Sequence, residues 1–215
     1  MSQNLYKYPR TFHLPWSEGI MSDDKVLKDL SHFIGKEVIV TEKLDGENTS
    51  VYNNYCHARS LTSGNHPSRN WIKNYITNFN YLLPEGFRIC GENVYAKHSI
   101  YYDNLESYFY LFSIWENEMC LSWDETLEWC QKIGVKTVPE LYRGIFDEAV
   151  IKSLFTGKSL LGGSQEGYVV RLAEKFDLKD FSKCVGKFVR KNHVQTDEHW
   201  MNSEIIPNNI KIKDK

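Results

Sequence analysis

The sequence predicts an α+β domain built on antiparallel sheets. β-branched and aromatic runs of strand length outnumber helical stripes. Two of these runs flank Asn53-Asn54, a good hairpin turn. No repeat, low-complexity block or long Gly/Pro/Ser linker divides the chain. With 215 residues, 41% of them hydrophobic, there is material for one substantial core or two small ones. A single domain over residues 1–205 is expected. A flexible tail is expected over 206–215, where polar residues follow Pro207.

Taken in order, the first helix is expected from Ser22 as cap, with Val26, Leu27, Leu30 and Phe33 at helical spacing and Gly35 as the stop. Strands follow at Val38 to Glu42, Asn48 to Tyr52 and Tyr55 to Ser60. Trp71, Ile72, Tyr75, Ile76 and Phe79 form a second helical stripe before Pro84. Phe87 to Gly91 and Tyr108 to Trp115 read as strands. Ser122 with Glu125 forms a capping box for a helix that Gly134 ends. A further helix is expected from Asp147 to Phe155, then strands from Gly167 to Leu172 and Val185 to Lys191.

The formal net charge of -2 gives nucleic-acid binding no global support, so any such binding must come from a local patch. Cys56, Cys90, Cys120, Cys130 and Cys184 are scattered, which suits free thiols better than a disulfide framework or a zinc site. No apolar run marks a signal or membrane segment. A cytoplasmic monomer with no membrane contact is expected. Most of the aromatic residues are expected to pack in the core, although some rings could stack on bases.

Four short segments carry candidate chemistry. In Thr41-Glu42-Lys43-Leu44-Asp45-Gly46-Glu47-Asn48 a lysine ends a strand at an Asp-Gly turn, which would aim its amine at a cleft. Taken alone, K-x-D-G fits a surface strand ending in a charged turn at least as well. Gly91-Glu92-Asn93 follows a strand, and Glu166 leads the apolar strand Gly167-Tyr168-Val169-Val170-Arg171. In Gly186-Lys187-Phe188-Val189-Arg190-Lys191, strand alternation would put Lys187 and Lys191 on one face and Arg190 on the other. A solvated basic edge strand would look the same. Together, and in this order, the segments supply a nucleophile, carboxylates for a metal and cations for phosphate.

This ordered set resembles the covalent lysine nucleotidyltransferases (DNA ligases, RNA ligases and mRNA capping enzymes), and the RNA ligase branch most. Lys43-Leu44-Asp45-Gly46 is similar to the nucleotidyl-lysine motif, with Glu42 beside it, Asp45 and Gly46 shaping the turn, and Asn48 at a functional asparagine position. Ala58-Arg59-Ser60 looks like the next motif, whose arginine helps to hold the nucleotide and the RNA end. The run Gly91-Glu92-Asn93-Val94-Tyr95-Ala96-Lys97-His98-Ser99-Ile100 resembles a long RNA-ligase signature, with Glu92 in the ribose-binding place. Phe112 matches the aromatic residue that stacks on adenine, and Glu166 the metal-linked glutamate. Lys187 through Lys191 match the final lysine motif. That motif usually carries two lysines one residue apart. Here Phe188 and Val189 follow Lys187, so Lys191 and Arg190 are the candidates for the second cation. The similarity also takes in Tyr8-Pro9-Arg10 and the stretch from His193 to Trp200.

The resemblance implies a nucleotidyltransferase fold in which antiparallel sheets flanked by helices frame a nucleotide cleft. It implies ATP as substrate, with AMP carried covalently on Lys43, and Mg²⁺ (or Mn²⁺) at Glu166. RNA ends would be the partners, in nicked or broken RNA or an RNA–DNA hybrid, joined 3′-OH to 5′-phosphate in RNA repair. Many relatives carry an appended domain, and a minimal catalytic domain is expected here. A DNA ligase, a capping-type enzyme, an end-activating enzyme that needs a partner to seal, and an inert RNA-binding module are the alternatives. His13, His98, His193 and His199 lack metal-ligand spacing and are expected to be structural or to contact RNA.

Overall fold

Apolar runs such as Val38-Ile39-Val40 and Phe109-Tyr110-Leu111 are buried on both faces of their strands. The computed structural model describes residues 4–192 and 204–211. In chain order it contains β1 (Phe12–His13), β2 (Glu37–Lys43), β3 (Glu47–Val51), β4 (Cys56–Ala58), α1 (Asn70–Tyr75), β5 (Phe87–Asn93), β6 (Phe109–Glu116), β7 (Met119–Cys120) and α2 (Trp123–Ile133). There follow β8 (Lys136–Thr137), β9 (Glu140–Ile145), α3 (Glu148–Ser153), β10 (Gly167–Leu172), β11 (Phe176–Asp177), α4 (Phe181–Cys184) and β12 (Val185–Val189). The α+β expectation therefore holds.

Two sheets organise these strands. The first runs β1-β12-β10-β2-β9, and the second β11-β7-β6-β5-β3-β4 with β8 beside β6. All pairings are antiparallel except β1 with β12 and β6 with β8. Val38, Val40, Tyr168, Val170 and Phe188 form a core on one face of the first sheet. Ile89, Phe109, Leu111 and Ile114 pack with Ile72, Phe79 and Ile133 on the second. The chain crosses from the first sheet to the second at Leu44-Asp45-Gly46, and Leu44 is buried with Ile39, Val94 and Tyr102.

Local signals decide several ends. Ser122 and Glu125 make the expected reciprocal capping box, and Gly134 stops α2 at φ 70°. Asp147 caps α3. The Asn53-Asn54 turn closes with Tyr52 N–H donating to Tyr55 O at 2.7 Å.

Other expectations need correction. No helix forms after Ser22. Instead His13 N–H donates to Lys25 O and Leu27 N–H to His13 O, both at 2.7 Å, so this stretch covers the edge strand β1. Pairing with a strand that needs a partner overrides the helical spacing. The second stripe is helical only to Tyr75 and continues as tight 3-10 turns. β12 stops at Val189, short of Lys191. The expected tail is docked over residues 206–211: Asn208 is 1% exposed, accepts from Tyr102 N–H and donates to Val94 O, both at 2.8 Å. Buried backbone donors and acceptors at Tyr102 and Val94 thus hold the segment in place. His193, His199 and Trp200 lie outside the described residues. Among the described residues no helix is long and apolar enough to cross a membrane.

Candidate active site

A cleft of about 420 Å³ lies where the two sheets meet. Strand register gathers its residues. β10 sits between β2 and β12, with Gly167 opposite both Lys43 and Val189, and Val169 opposite both Thr41 and Lys187. Lys43, Glu166 and Lys187 thus converge at one end of three neighbouring strands. In the second sheet, Asn48 pairs with Glu92 and Glu92 with Tyr110. The β5–β6 register shifts between Cys90 and Gly91, from Ser113 to Leu111, leaving Phe112 as the extra residue. That bulge turns the Phe112 ring toward the cleft that it lines.

Two glycines are fixed by crowding. A Cβ on Gly46 would stand 2.6 Å from Asn93 O, and one on Gly167 would stand 2.0 Å from Phe188 O. Gly46 therefore lets the crossing chain lie against β5, and Gly167 lets β12 close on β10 beside Glu166. Asp45 is tied to two neighbouring segments. Its N–H donates to the Tyr102 hydroxyl, and its Oδ2 accepts from Ser99 and Ile100 N–H at 2.7 Å.

At the centre, Lys43 Nζ donates to Glu166 Oε2 at 2.7 Å, the two side chains being 26% and 7% exposed. Burial pushes the Lys43 ammonium pKa down, but Glu166, Glu92 and Asp45 together outweigh it and leave the pKa raised. Burial raises Glu92 to about 8, where Glu166 and Asp45 work against the pull of Lys43. Lys187 is lowered, first by burial and then by Lys43. Without a further cation, the centre keeps Lys43 protonated.

Of the expected residues, Glu42, Lys43, Gly46, Asn48, Arg59, Glu92, Phe112 and Lys187 line the cleft. Glu166 reaches it through its bond to Lys43. Glu42 is buried; its Oε2 accepts from Leu160 N–H at 3.0 Å, while Oε1 has no partner. Asn48 Oδ1 is likewise buried without a partner. Lys191 and Arg190 are not brought in. Lys191 is exposed past the end of β12, and Arg190 turns to the carbonyls of Lys191 and Asn192. The expected shared face of Lys187 and Lys191 fails because the strand ends between them.

Sequence reasoning gave no role to several lining residues. Tyr8 meets Phe112 edge-on at 5.3 Å, and Asp24 lies 3.9 Å from Lys187. Arg171 is buried at the apolar end among Trp123 and Phe176, with Nη1 unpartnered. Arg171 shares a strand face with Val169, so alternation could have found it. Tyr8 and Asp24 come from distant chain segments and left no periodic signal.

The donor set also suits a hard cation. Glu166 offers carboxylate oxygens at the cleft beside Lys43. That fits Mg²⁺, which takes one or two carboxylates and completes its shell with water and substrate phosphates.

A family model described as RNA ligase matches residues 36–189, from the start of β2 to the end of β12. The chain belongs to the RNA ligase family. Solved structures share its fold. An apo mutant of Naegleria gruberi RNA ligase matches with a TM-score of 0.58 and 19% identity, over 90% of this chain and 60% of that one. A mutant of the same enzyme with ATP and Mn matches with a TM-score of 0.55 and 19% identity, over 88% and 59%. An archaeal ATP-dependent RNA ligase matches with a TM-score of 0.57 and 16% identity, over 86% and 48%. This member of the RNA ligase family therefore spans 60% or less of those proteins. A comparison with curated proteins finds none that matches.

Proposed function

We propose that the chain is the nucleotidyl-transfer domain of an ATP-dependent RNA ligase and that Lys43 is its nucleophile. The observation that carries this is the Lys43–Glu166 pair, at 2.7 Å, in a cleft that also presents Glu92, Phe112 and Lys187. ATP and Mn in the Naegleria gruberi structures support the choice of nucleotide and metal class.

In the first step the Lys43 amine attacks the α-phosphorus of ATP. The bond to the bridging oxygen breaks, pyrophosphate leaves, and a phosphoramidate to AMP remains on Nζ. The attacking amine must be neutral, and a free lysine is neutral at pH 7 about once in a few thousand molecules. A divalent cation held by Glu166 would neutralise the phosphates and draw Glu166 away from Lys43, lowering the barrier to deprotonation. Lys187 is placed to hold phosphate oxygens. Phe112 offers the base a flat apolar face, Glu92 faces the sugar hydroxyls, and the open Glu42 oxygen can accept an exocyclic amine. AMP then passes to a 5′-phosphate, and a 3′-OH displaces it to seal the RNA. RNA repair is the process such a reaction serves.

Intact-mass measurement after incubation with Mg²⁺ and ATP or GTP tests this. One added AMP is expected; addition of GMP alone would point to capping chemistry, and no adduct with either would reject the reading. Labelled 3′-OH/5′-phosphate ends in nicked RNA, hybrid, DNA and single strands separate joining from accumulation of the adenylylated end.

A further inference from the structure

Strand β12 brings one cation into the cleft. Lys187 faces it, and so does Val185. The next residue on that face, Val189, is apolar and buried, and Lys191 is exposed beyond the strand. A terminal phosphate or a polyphosphate tail carries more than one negative charge, which a single lysine matches poorly.

Another cation lines the same cleft from a different part of the chain. Arg10 belongs to the N-terminal strap that includes Tyr6 and Tyr8. Tyr6 N–H donates to the Tyr52 hydroxyl, and Arg88 donates to Tyr6 O. Arg59, a cleft residue itself, donates to Tyr8 O. Arg10 Nη2 pairs with Asp23 Oδ2 at 2.7 Å, and Nη1 donates to Asp23 O at 2.6 Å. The next residue, Asp24, lines the cleft and faces Lys187 Nζ at 3.9 Å. Consecutive aspartates thus face the two cleft cations, Asp23 pairing with Arg10 and Asp24, which also pairs with His13 at 3.1 Å, lying near Lys187. The Arg10–Asp23 pair is the looser one by environment, its side chains 40% and 71% exposed. Exposed pairs contribute little, so a phosphate dianion can displace Asp23 from a guanidinium whose fork fits phosphate.

We propose that Arg10 is the second cation of the phosphate clamp, parked on Asp23 until a phosphate enters beside Lys187. This rests on the nucleotidyl-transfer reading of the cleft. The phosphate belongs either to the nucleotide tail or to the 5′ end of RNA, and the two sources are separable.

The test uses the full chain with Arg10→Ala, Arg10→Lys and Asp23→Asn. One arm follows lysyl-AMP formation against ATP concentration with Mg²⁺, together with ATP affinity by calorimetry. The other follows AMP transfer from pre-charged protein to 5′-phosphorylated RNA. If the nucleotide tail is the ligand, Arg10→Ala raises KM for ATP about tenfold with little change in kcat. If the RNA end is the ligand, only the transfer arm falls, by a similar factor. Arg10→Lys recovers part of either loss. Asp23→Asn moves the same arm the opposite way, because it removes the competing acceptor. Both arms unchanged in Arg10→Ala would overturn the proposal. So would equal impairment by Arg10→Ala and Asp23→Asn, the mark of a merely structural pair. A wild-type chain that never forms lysyl-AMP overturns the nucleotidyl-transfer reading together with the clamp, before any variant is compared.

Discussion

Strand β2 is held by ion pairs at both ends, and the two ends do different things. At its start, Arg143 donates to Glu37 at 2.9 Å and to Asp124 at 2.6 Å, tying β2 to β9 and α2. At its far end, Lys43 donates to Glu166 at 2.7 Å. Distances do not separate these sites, but surroundings do. The Arg143 network lies in solvent, where water screens each pair. Lys43 and Glu166 feel the charges of Glu92, Asp45 and Lys187, and taking away one charge here leaves its partner with poor solvation. A short ion pair marks chemistry only when burial and neighbours make its charge state adjustable.

The largest effects should come from the cleft end. Lys43→Arg is expected to abolish covalent AMP attachment, since a guanidinium stays protonated and cannot attack. A covalent adduct surviving in a clean Lys43→Arg preparation, read by intact mass, would sink the nucleophile assignment. Glu166→Ala removes the carboxylate that holds Lys43 and would hold the metal, and a fall of roughly 10²-fold in the rate of lysyl-AMP formation is expected. A normal rate at saturating Mg²⁺ would remove its metal role.

Glu92 tests the same end through stability. Its carboxyl is raised to about 8 in the fold, chiefly by burial, from an ordinary value of 4.5. The folded chain therefore keeps a proton that the unfolded chain gives up. The favourable contribution is complete below the ordinary value and is lost as pH rises through about 8. Glu92→Gln cannot ionise. Its melting temperature should match the wild type below about pH 4.5 and climb above it as pH rises, the gain levelling off above about 8. A difference that does not change with pH would show that Glu92 ionises normally.

Much of the cleft end was legible in the sequence because its residues sit at strand ends in fixed order. The K-x-D-G turn, the glutamate before β10 and the lysine within β12 are local features that strand register brings together. What escaped reading came from tertiary pairing. The stretch from Ser22 to Gly35 has helical spacing, yet its backbone is recruited by β1, which carries Asp24 to Lys187. The same placement brings Arg10 to Asp23. Alternation was carried two residues too far at Lys191, because nothing in Val189-Arg190-Lys191 signals the end of the strand. Phe112 was named by motif, but the bulge that turns it inward depends on the β5–β6 register and leaves no pattern in one strand alone.

The smallest effect should come from the outer end of β2. Arg143→Ala removes contacts to both Glu37 and Asp124, but each pair is worth less than about 1 kcal/mol at an exposed site. A loss of at most roughly 2–4 °C in melting temperature for each pair is expected at neutral pH. Bonding to Arg143 holds the Asp124 carboxyl below its ordinary value, so its share of stability is present above that value and is lost as pH falls through the lowered one. The wild-type advantage over Arg143→Ala should therefore shrink in acid, and also in high salt. Lysyl-AMP formation should be unchanged. If Arg143→Ala instead slowed AMP attachment while melting normally, the two ends of β2 would be coupled through the strand, and the division between a solvent-screened end and a chemical end would fail.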